Sequence, residues 1–245
     1  MGQIISIMNQ KGGVGKTTTA INVAACLARA GRKVLLMDLD PQCNATSGLN
    51  QKSLSAHPLV ADVSWSSAVI STKIPNFFLL PGCRSYRQVL KLHDGSTIPS
   101  EKLQEMLTGV LNSFDYVLLD LPPAVSPLSE TAVMMASLVL IPIQCEFYAM
   151  DGVVKMTSMI PADKWFSCGI LMTMADVTLE LTKEVESEIR EHFGDIVYQT
   201  FIPRDVSIAE AAGYGVPVIE YAPRSRSARA YIELTMEILE NEQEE

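Results

Sequence analysis

The sequence predicts an α/β fold: a doubly wound, mostly parallel sheet of seven to eight strands with helices on both faces, in one domain over residues 1–245. Three observations predict it. Strand-like and helix-like segments alternate along the chain, the pattern of right-handed βαβ crossovers. Several strand candidates are near-continuous apolar runs, such as Val34-Leu35-Leu36-Met37 and Tyr116-Val117-Leu118-Leu119, which suit central strands covered on both faces. A glycine-rich turn, Lys11-Gly12-Gly13-Val14-Gly15-Lys16-Thr17-Thr18, joins the first apolar run to the first helical one.

In chain order, strands are expected at 3–8, 33–39, 77–81, 115–120, 138–143, 168–173 and 197–202, each a short apolar or β-branched run. Helices are expected at 17–30, 100–113, 128–136, 147–160, 179–193, 206–212 and 225–240. The polar region 50–76 is expected to hold one short helix around 59–70. The stretch 150–166 ends in Pro161-Ala162-Asp163-Lys164-Trp165, so its helix is expected to be trimmed. The tail 233–245 carries six Glu and no Lys or Arg, and reads as a solvated helix end.

With 48% hydrophobic and 19% charged residues the chain can bury a sizeable core, which argues against disorder. A net charge of −9 means that any nucleic-acid contact must use a local patch rather than the whole surface. Cys26, Cys43, Cys83, Cys145 and Cys168 are scattered without a C-x-x-C pair, which suits a reducing, cytoplasmic setting and argues against zinc or disulfides. No leader pattern and no membrane-length apolar run is expected. The MGQIIS start matches a lipidation pattern only superficially, because Gly2 leads straight into the first strand.

The chemistry sits at the ends of strands. A glycine-rich turn between strand and helix is a phosphate cradle: glycines let backbone N–H groups face inward, and the helix N-terminus adds positive potential. Lys16 can reach the β- and γ-phosphates, and the Thr17 hydroxyl can hold Mg²⁺. The P-loop pattern G-x-x-x-x-G-K-[ST] is incomplete here. Gln10 stands where its first glycine would be, and a second lysine, Lys11, opens the loop. Asp38 and Asp40 close the second strand in LLMDLDPQ, and Asp120 closes the fourth in YVLLDLPP. Carboxylates at apolar strand ends are costly unless partnered, so Mg²⁺ and an attacking water are expected beside them. Asp38 has a second reading, as a carboxylate that bonds the backbone of a neighbouring turn. The polar loop Gln42 to Ser47 is a candidate γ-phosphate sensor.

KGGVGKTT, MDLDPQCNATSGL, YVLLDLPP, IPIQCEFYAMDG and FIPRDVSIAEA together resemble the ParA/Soj family of chromosome- and plasmid-partitioning ATPases, deviant Walker A proteins related to MinD. The resemblance covers residues 3 to about 240 and is weakest at 50–110. It implies ATP hydrolysis to ADP and phosphate with Mg²⁺. It implies that Lys16 binds the phosphates and that Gly12, Gly13, Val14, Gly15 and Thr18 line the loop. Thr17 would ligate Mg²⁺, Asp120 would support its shell, and Asp40 would position the attacking water. Lys11 resembles the signature lysine that reaches the partner's nucleotide in an ATP-bound homodimer. Pro203 and Arg204 fall in what looks like the adenine-side loop. A ParB-like activator and non-specific DNA are the implied partners, with no membrane and with nucleoid association if DNA is bound.

The chain also departs from that family. Thr178 and Ser207 stand where close relatives often hold arginine, which places any DNA patch on Arg224, Arg226 and Arg229, with Lys183, Arg190 and Arg204 near in sequence. The same arginines could instead form a solvated helix face. Cys43 stands where relatives usually have glycine. The competing readings are an ATPase of this fold that positions a protein cluster or other cargo, a MinD-like membrane regulator, an iron–sulfur reductase or tyrosine-kinase relative, and a binding protein without turnover. The acidic tail disfavours the membrane, and LPPAVSP after Asp120 has no cluster cysteine. Only Tyr231 lies near the end, against a tyrosine-rich kinase tail, and the intact set of charged groups disfavours a merely binding role.

Overall fold

The computed structural model describes residues 2–84, 98–146, 149–157 and 160–241. The strands are β1 (Gln3–Ile7), β2 (Val34–Asp38), β3 (Ile70–Ser71), β4 (Phe77–Leu80), β5 (Tyr116–Asp120), β6 (Leu138–Gln144), β7 (Cys168–Ala175) and β8 (Ile202–Pro203). They form one sheet in the order β3-β4-β2-β5-β1-β6-β7-β8, parallel except for the antiparallel β3–β4 pair at one edge.

The helices are α1 (Lys16–Arg29), α2 (Asn44–Gly48), α3 (Trp65–Ala68), α4 (Ile98–Val110), α5 (Pro127–Met135), α6 (Ala149–Thr157), α7 (Glu180–Phe193), α8 (Val206–Tyr214), α9 (Val218–Tyr221) and α10 (Arg226–Asn241). Helix α5 shows why its boundary was legible. Pro127 needs no N–H donor at the first helical position, and Ser126 and Ser129 cap each other reciprocally. Helix α6 is followed by the 3-10 turn Ala162–Ser167; residues 147–148 and 158–159 of the expected span lie outside the described residues.

Alternation along the strands builds two cores. Ile4, Leu35, Val117, Val139 and Ile170 face a layer that includes α4, α5, α6 and α7. Ile5, Leu36, Leu118, Leu140 and Leu171 face α1, α8, α9 and α10. Burial on both faces is why these strands read as continuous apolar runs rather than as alternating ones.

Three expectations are corrected. The strand at 197–202 shrinks to Ile202–Pro203, with a lone bridge from Val197 to Ile170. Between them the N–H groups of Gln199 and Thr200 donate to the Glu237 carboxylate at 2.6 and 3.1 Å, so they are lost to the ladder. The helix around 59–70 contracts to Trp65–Ala68. Strand β3, only two residues long, is too short to show periodicity and was missed.

What positions the site is register. Ile7 and Asp38 both align with Asp120, so the carboxyl ends of β1, β2 and β5 lie level. The loop from β1, Asp38 and Asp40 at the end of β2, and Asp120 at the end of β5 therefore gather at the carboxyl edge of the sheet, where open α/β sheets bind ligands; Asp40 lines the crevice there, and Asp38 and Asp120 are buried behind its lining.

Candidate nucleotide-binding site

The loop between β1 and α1 turns on glycines at left-handed φ: Gly13 at 78° and Gly15 at 91°. Gly15 caps α1 without a side-chain bond, which leaves the first-turn N–H groups free for an anion. The loop is pinned from behind. Thr173 donates its hydroxyl to the Val14 and Ile143 carbonyls at 2.8 and 2.9 Å, and Asn9 donates to the Pro142 carbonyl at 2.8 Å. Val14 is buried, so this residue anchors the loop and does not line the crevice with its side chain.

The crevice is a cavity of about 600 Å³. Gly12, Gly13, Gly15, Lys16, Thr17 and Thr18 line one side, with Asp40, Gln42, Asn44 and Ser47 beside them. A Cβ at Gly12 or Gly13 would meet no protein atom within 4 Å, so the loop borders open space. The opposite wall is apolar: Met174, Ile208, Ala211, Ala212, Val216 and Val218. Asn22 ties the walls together, donating to the Thr18 carbonyl and accepting from the Val218 N–H, both at 2.8 Å. The volume and the one polar, one apolar side suit a nucleotide. The apolar wall was not foreseen in the sequence.

Lys16 is buried and donates to the Lys11 carbonyl at 3.2 Å. Burial holds its pKa below the ordinary lysine value, and the carboxylates of Asp120 and Asp40 pull it back up. Asp40 accepts the Gln42 N–H at Oδ1, at 2.8 Å. Both oxygens of Asp120 and Oδ1 of Asp38 are buried without a hydrogen-bond partner. Burial pushes the Asp120 pKa well up, the Asp38 charge adds to it, and Thr17 and Lys16 act against it. Burial likewise raises Asp38 to about 6, although the hydroxyl and N–H of Thr46 counteract it. Three unpartnered carboxylate oxygens beside a hydroxyl and a phosphate cradle are the donor set that a hard divalent cation takes. The residues present therefore fit Mg²⁺ and its waters.

These shifts predict how the empty protein behaves. Asp38 has a folded pKa near 6 against 3.8 for the free side chain, so its stability contribution is fully present below about pH 4 and is lost as pH rises through 6. Asp120 has the same sign. Asp120→Asn replaces a fully buried carboxyl whose charged form burial disfavours, and is expected to stabilise the nucleotide-free chain at pH 7.5, the more so as pH rises, while impairing Mg²⁺-dependent hydrolysis. Thermal melting from pH 5 to 8 checks it: an unchanged or lower melting point for the variant at pH 7.5 contradicts the assignment.

Lys11 is not on the cavity wall. Its ammonium pairs with Glu146 at 2.7 Å, and both side chains are about half exposed. Cys43 adopts φ 53°, which explains why glycine suits it; its buried thiol is pushed up to about 11 mainly by burial. Pro203 and Arg204 do not line the nucleotide cavity, although Pro203 pairs with Ala175 beside Met174 of its wall. They line a neighbouring cavity of about 620 Å³ with Arg226, Arg229, Asp176 and Glu233. Among the described residues, Arg204, Arg224, Arg226 and Arg229 form no salt bridge. Arg224 does not line that cavity, and its carbonyl accepts from Arg229 at 3.3 Å. Thr178 bonds Asp176 within its own turn; the Ser207 N–H donates to Asp205, and the Ser207 hydroxyl bonds the Ser227 hydroxyl of α10.

Fold and crevice together define a P-loop nucleotide-binding protein. Residues 2–164 match the family described as AAA domain. The chain is 38% identical to the sporulation initiation inhibitor protein Soj of Bacillus subtilis, covering 98% of this chain and 100% of that one. It is 39% identical to the chromosome-partitioning ATPase Soj of Thermus thermophilus, over 98% and 96%. The septum-site determining protein MinD of Pyrococcus horikoshii, solved with Mg-ADP, superposes with a TM-score of 0.79 at 25% identity, over 97% and 96%. The chain belongs to the ParA/Soj family of partitioning ATPases, within the wider ParA/MinD group. Among the described residues no helix is long and apolar enough to cross a membrane.

Proposed function

We propose that this chain is an ATP-dependent dimerising switch that hydrolyses ATP to ADP and phosphate to partition DNA, with a ParB-like protein as activator. The observation that carries the switch is the placement of the two loop lysines. Lys16 is buried in the cavity, whereas Lys11 stands half-exposed outside it, free to serve a nucleotide held by a second copy. In the dimer Lys11 leaves Glu146 and reaches across, as an arginine finger does. Dimerisation then depends on the γ-phosphate and reports nucleotide state.

Within one site, the loop N–H groups and Lys16 hold the phosphates. Thr17 and Asp120 would hold Mg²⁺, which when bound neutralises charge on the phosphate oxygens. Asp40 is oriented by the Gln42 N–H at Oδ1, leaving Oδ2 to accept the proton of the attacking water. Met174, Ile208 and Ala211 give the base an apolar seat.

The DNA half of the reading draws on relatives named for chromosome partitioning and on Arg224, Arg226 and Arg229, which form no salt bridge among the described residues and would be doubled by dimer symmetry. Nucleoid association follows if it holds. A second reading, in which the cargo is a protein cluster or other body, is favoured by one observation: Thr178 and Ser207 leave no cation where relatives often have one. Filter binding of random duplex separates the two. The DNA reading expects ATP-dependent retention that weakens with salt, with a slope of about 0.9 per phosphate contact, and loss of it in Arg226→Glu/Arg229→Glu. A flat response at low salt removes DNA from the proposal.

A further inference from the structure

Asp38 closes β2 level with Asp120, buried behind the residues that line the nucleotide cavity. Its Oδ2 is held twice by one residue: the Thr46 hydroxyl donates at 2.6 Å and the Thr46 N–H at 2.8 Å. The same hydroxyl accepts the Gly82 N–H at 2.8 Å, at the exit of β4. Asp38 and Thr46 are both buried. Two bonds to a single oxygen fix the rotation of the carboxyl group and leave Oδ1 as a buried acceptor with no partner. Thr46 sits in α2, whose neighbours Asn44, Ser47 and Gly48 line the nucleotide cavity. Beyond Gly82, Arg84 donates to the Gln42 carbonyl at 3.1 Å, so the exit of β4 and the Asp40 loop are tied at two points.

We infer that Thr46 is a positioning residue: through Asp38 it aims a carboxylate oxygen at the Mg²⁺ water shell and couples that aim to the loop carrying Asp40. The hydroxyl is the one group that can do this. Its proton goes to Asp38 while its lone pair takes Gly82, and a methyl in its place would satisfy neither. Serine keeps both bonds; valine and alanine keep only the backbone one. The inference rests on the nucleotide reading of the cavity.

Thermal melting in ADP with increasing MgCl₂ tests it on the intact chain. The wild type is expected to gain stability with Mg²⁺. Thr46→Val and Thr46→Ala, which differ in packing but share the lost hydroxyl, are expected to need about tenfold more Mg²⁺ for half the gain. Thr46→Ser is expected to keep the wild-type requirement. Asp38→Asn/Thr46→Val is expected to lose no more than Asp38→Asn alone, because Thr46 acts through Asp38. Steady-state kinetics should show kcat reduced with KM for ATP little changed in the valine variant. A wild-type Mg²⁺ requirement in both hydroxyl-free variants, or losses that simply add in the double variant, overturns the inference alone. A wild type with no Mg²⁺-dependent gain overturns the nucleotide reading and the inference with it.

Discussion

Lys11→Ala is expected to leave ATP binding nearly intact, to abolish the ATP-dependent dimer, and to slow hydrolysis by about 10³- to 10⁵-fold, the range known for a charge-stabilising finger supplied by a partner. The argument is one of placement. On the proposed reading Lys16, the loop N–H groups and Thr17 hold the phosphates within one chain, and Lys11 gives Lys16 only a backbone carbonyl. Truncating its side chain therefore removes nothing that one chain uses to hold ATP. It also breaks the ion pair with Glu146, but that pair is half-exposed and worth about 1 kcal/mol or less, so the fold should be unaffected. Light scattering with a non-hydrolysable ATP analogue checks the result. Dimers of normal stability would show that Lys11 has a different task.

Asp40→Ala is expected to have the opposite effect on assembly. Asp40 lines the cavity beside the loop, and its orientation is set by the Gln42 N–H two residues on. If Asp40 takes the proton of the attacking water, as proposed, its loss is expected to slow hydrolysis by about 10²- to 10⁴-fold while the phosphate contacts and Lys11 stay in place. ATP then stays bound, and the dimer, which depends on the γ-phosphate, persists. Size-exclusion chromatography after ATP addition should find a long-lived dimer, and phosphate release should be near background. Unchanged turnover would refute the assignment.

The contrast between these variants reflects what a sequence can show. The loop, Asp38, Asp40 and Asp120 were legible because each lies at the end of an apolar strand, where local spacing alone places it. The strands themselves were legible because burial on both faces makes them continuous apolar runs. The far wall of the cavity was not. Val218 reaches Asn22 across 196 positions, and Ile208 and Ala211 look like ordinary helix residues until α8 packs against α2 and α9 beside the loop. The pairing of Lys11 with Glu146, 135 positions away, was hidden for the same reason. Strand 197–202 failed differently: its apolar pattern is real, but Glu237 competes for its backbone donors from a helix that no local window contains. Pro203 and Arg204 were placed by resemblance alone, and the cavity they line, beside the nucleotide crevice, is visible only in the fold.

The departures at Thr178, Ser207 and Cys43 have different weights. The first two remove cations from turns whose hydroxyls are already engaged, so they bear on cargo and not on chemistry. Cys43 holds the left-handed turn that opens α2 despite its Cβ. Gly82, whose added Cβ would lie 2.8 Å from the Cys43 sulfur, keeps the room this side chain needs.

The central claim is that each active site is completed by Lys11 of the other chain. Phosphate release from an equal mixture of Lys11→Ala and Asp40→Ala tests it most directly. Each variant alone is expected to be nearly inactive. In the mixed dimer, ATP on the Lys11→Ala chain has its own Asp40 and receives Lys11 from the partner, so one of the two sites is whole. Activity that appears only on mixing is the predicted result. A mixture no more active than its components would contradict the composite site.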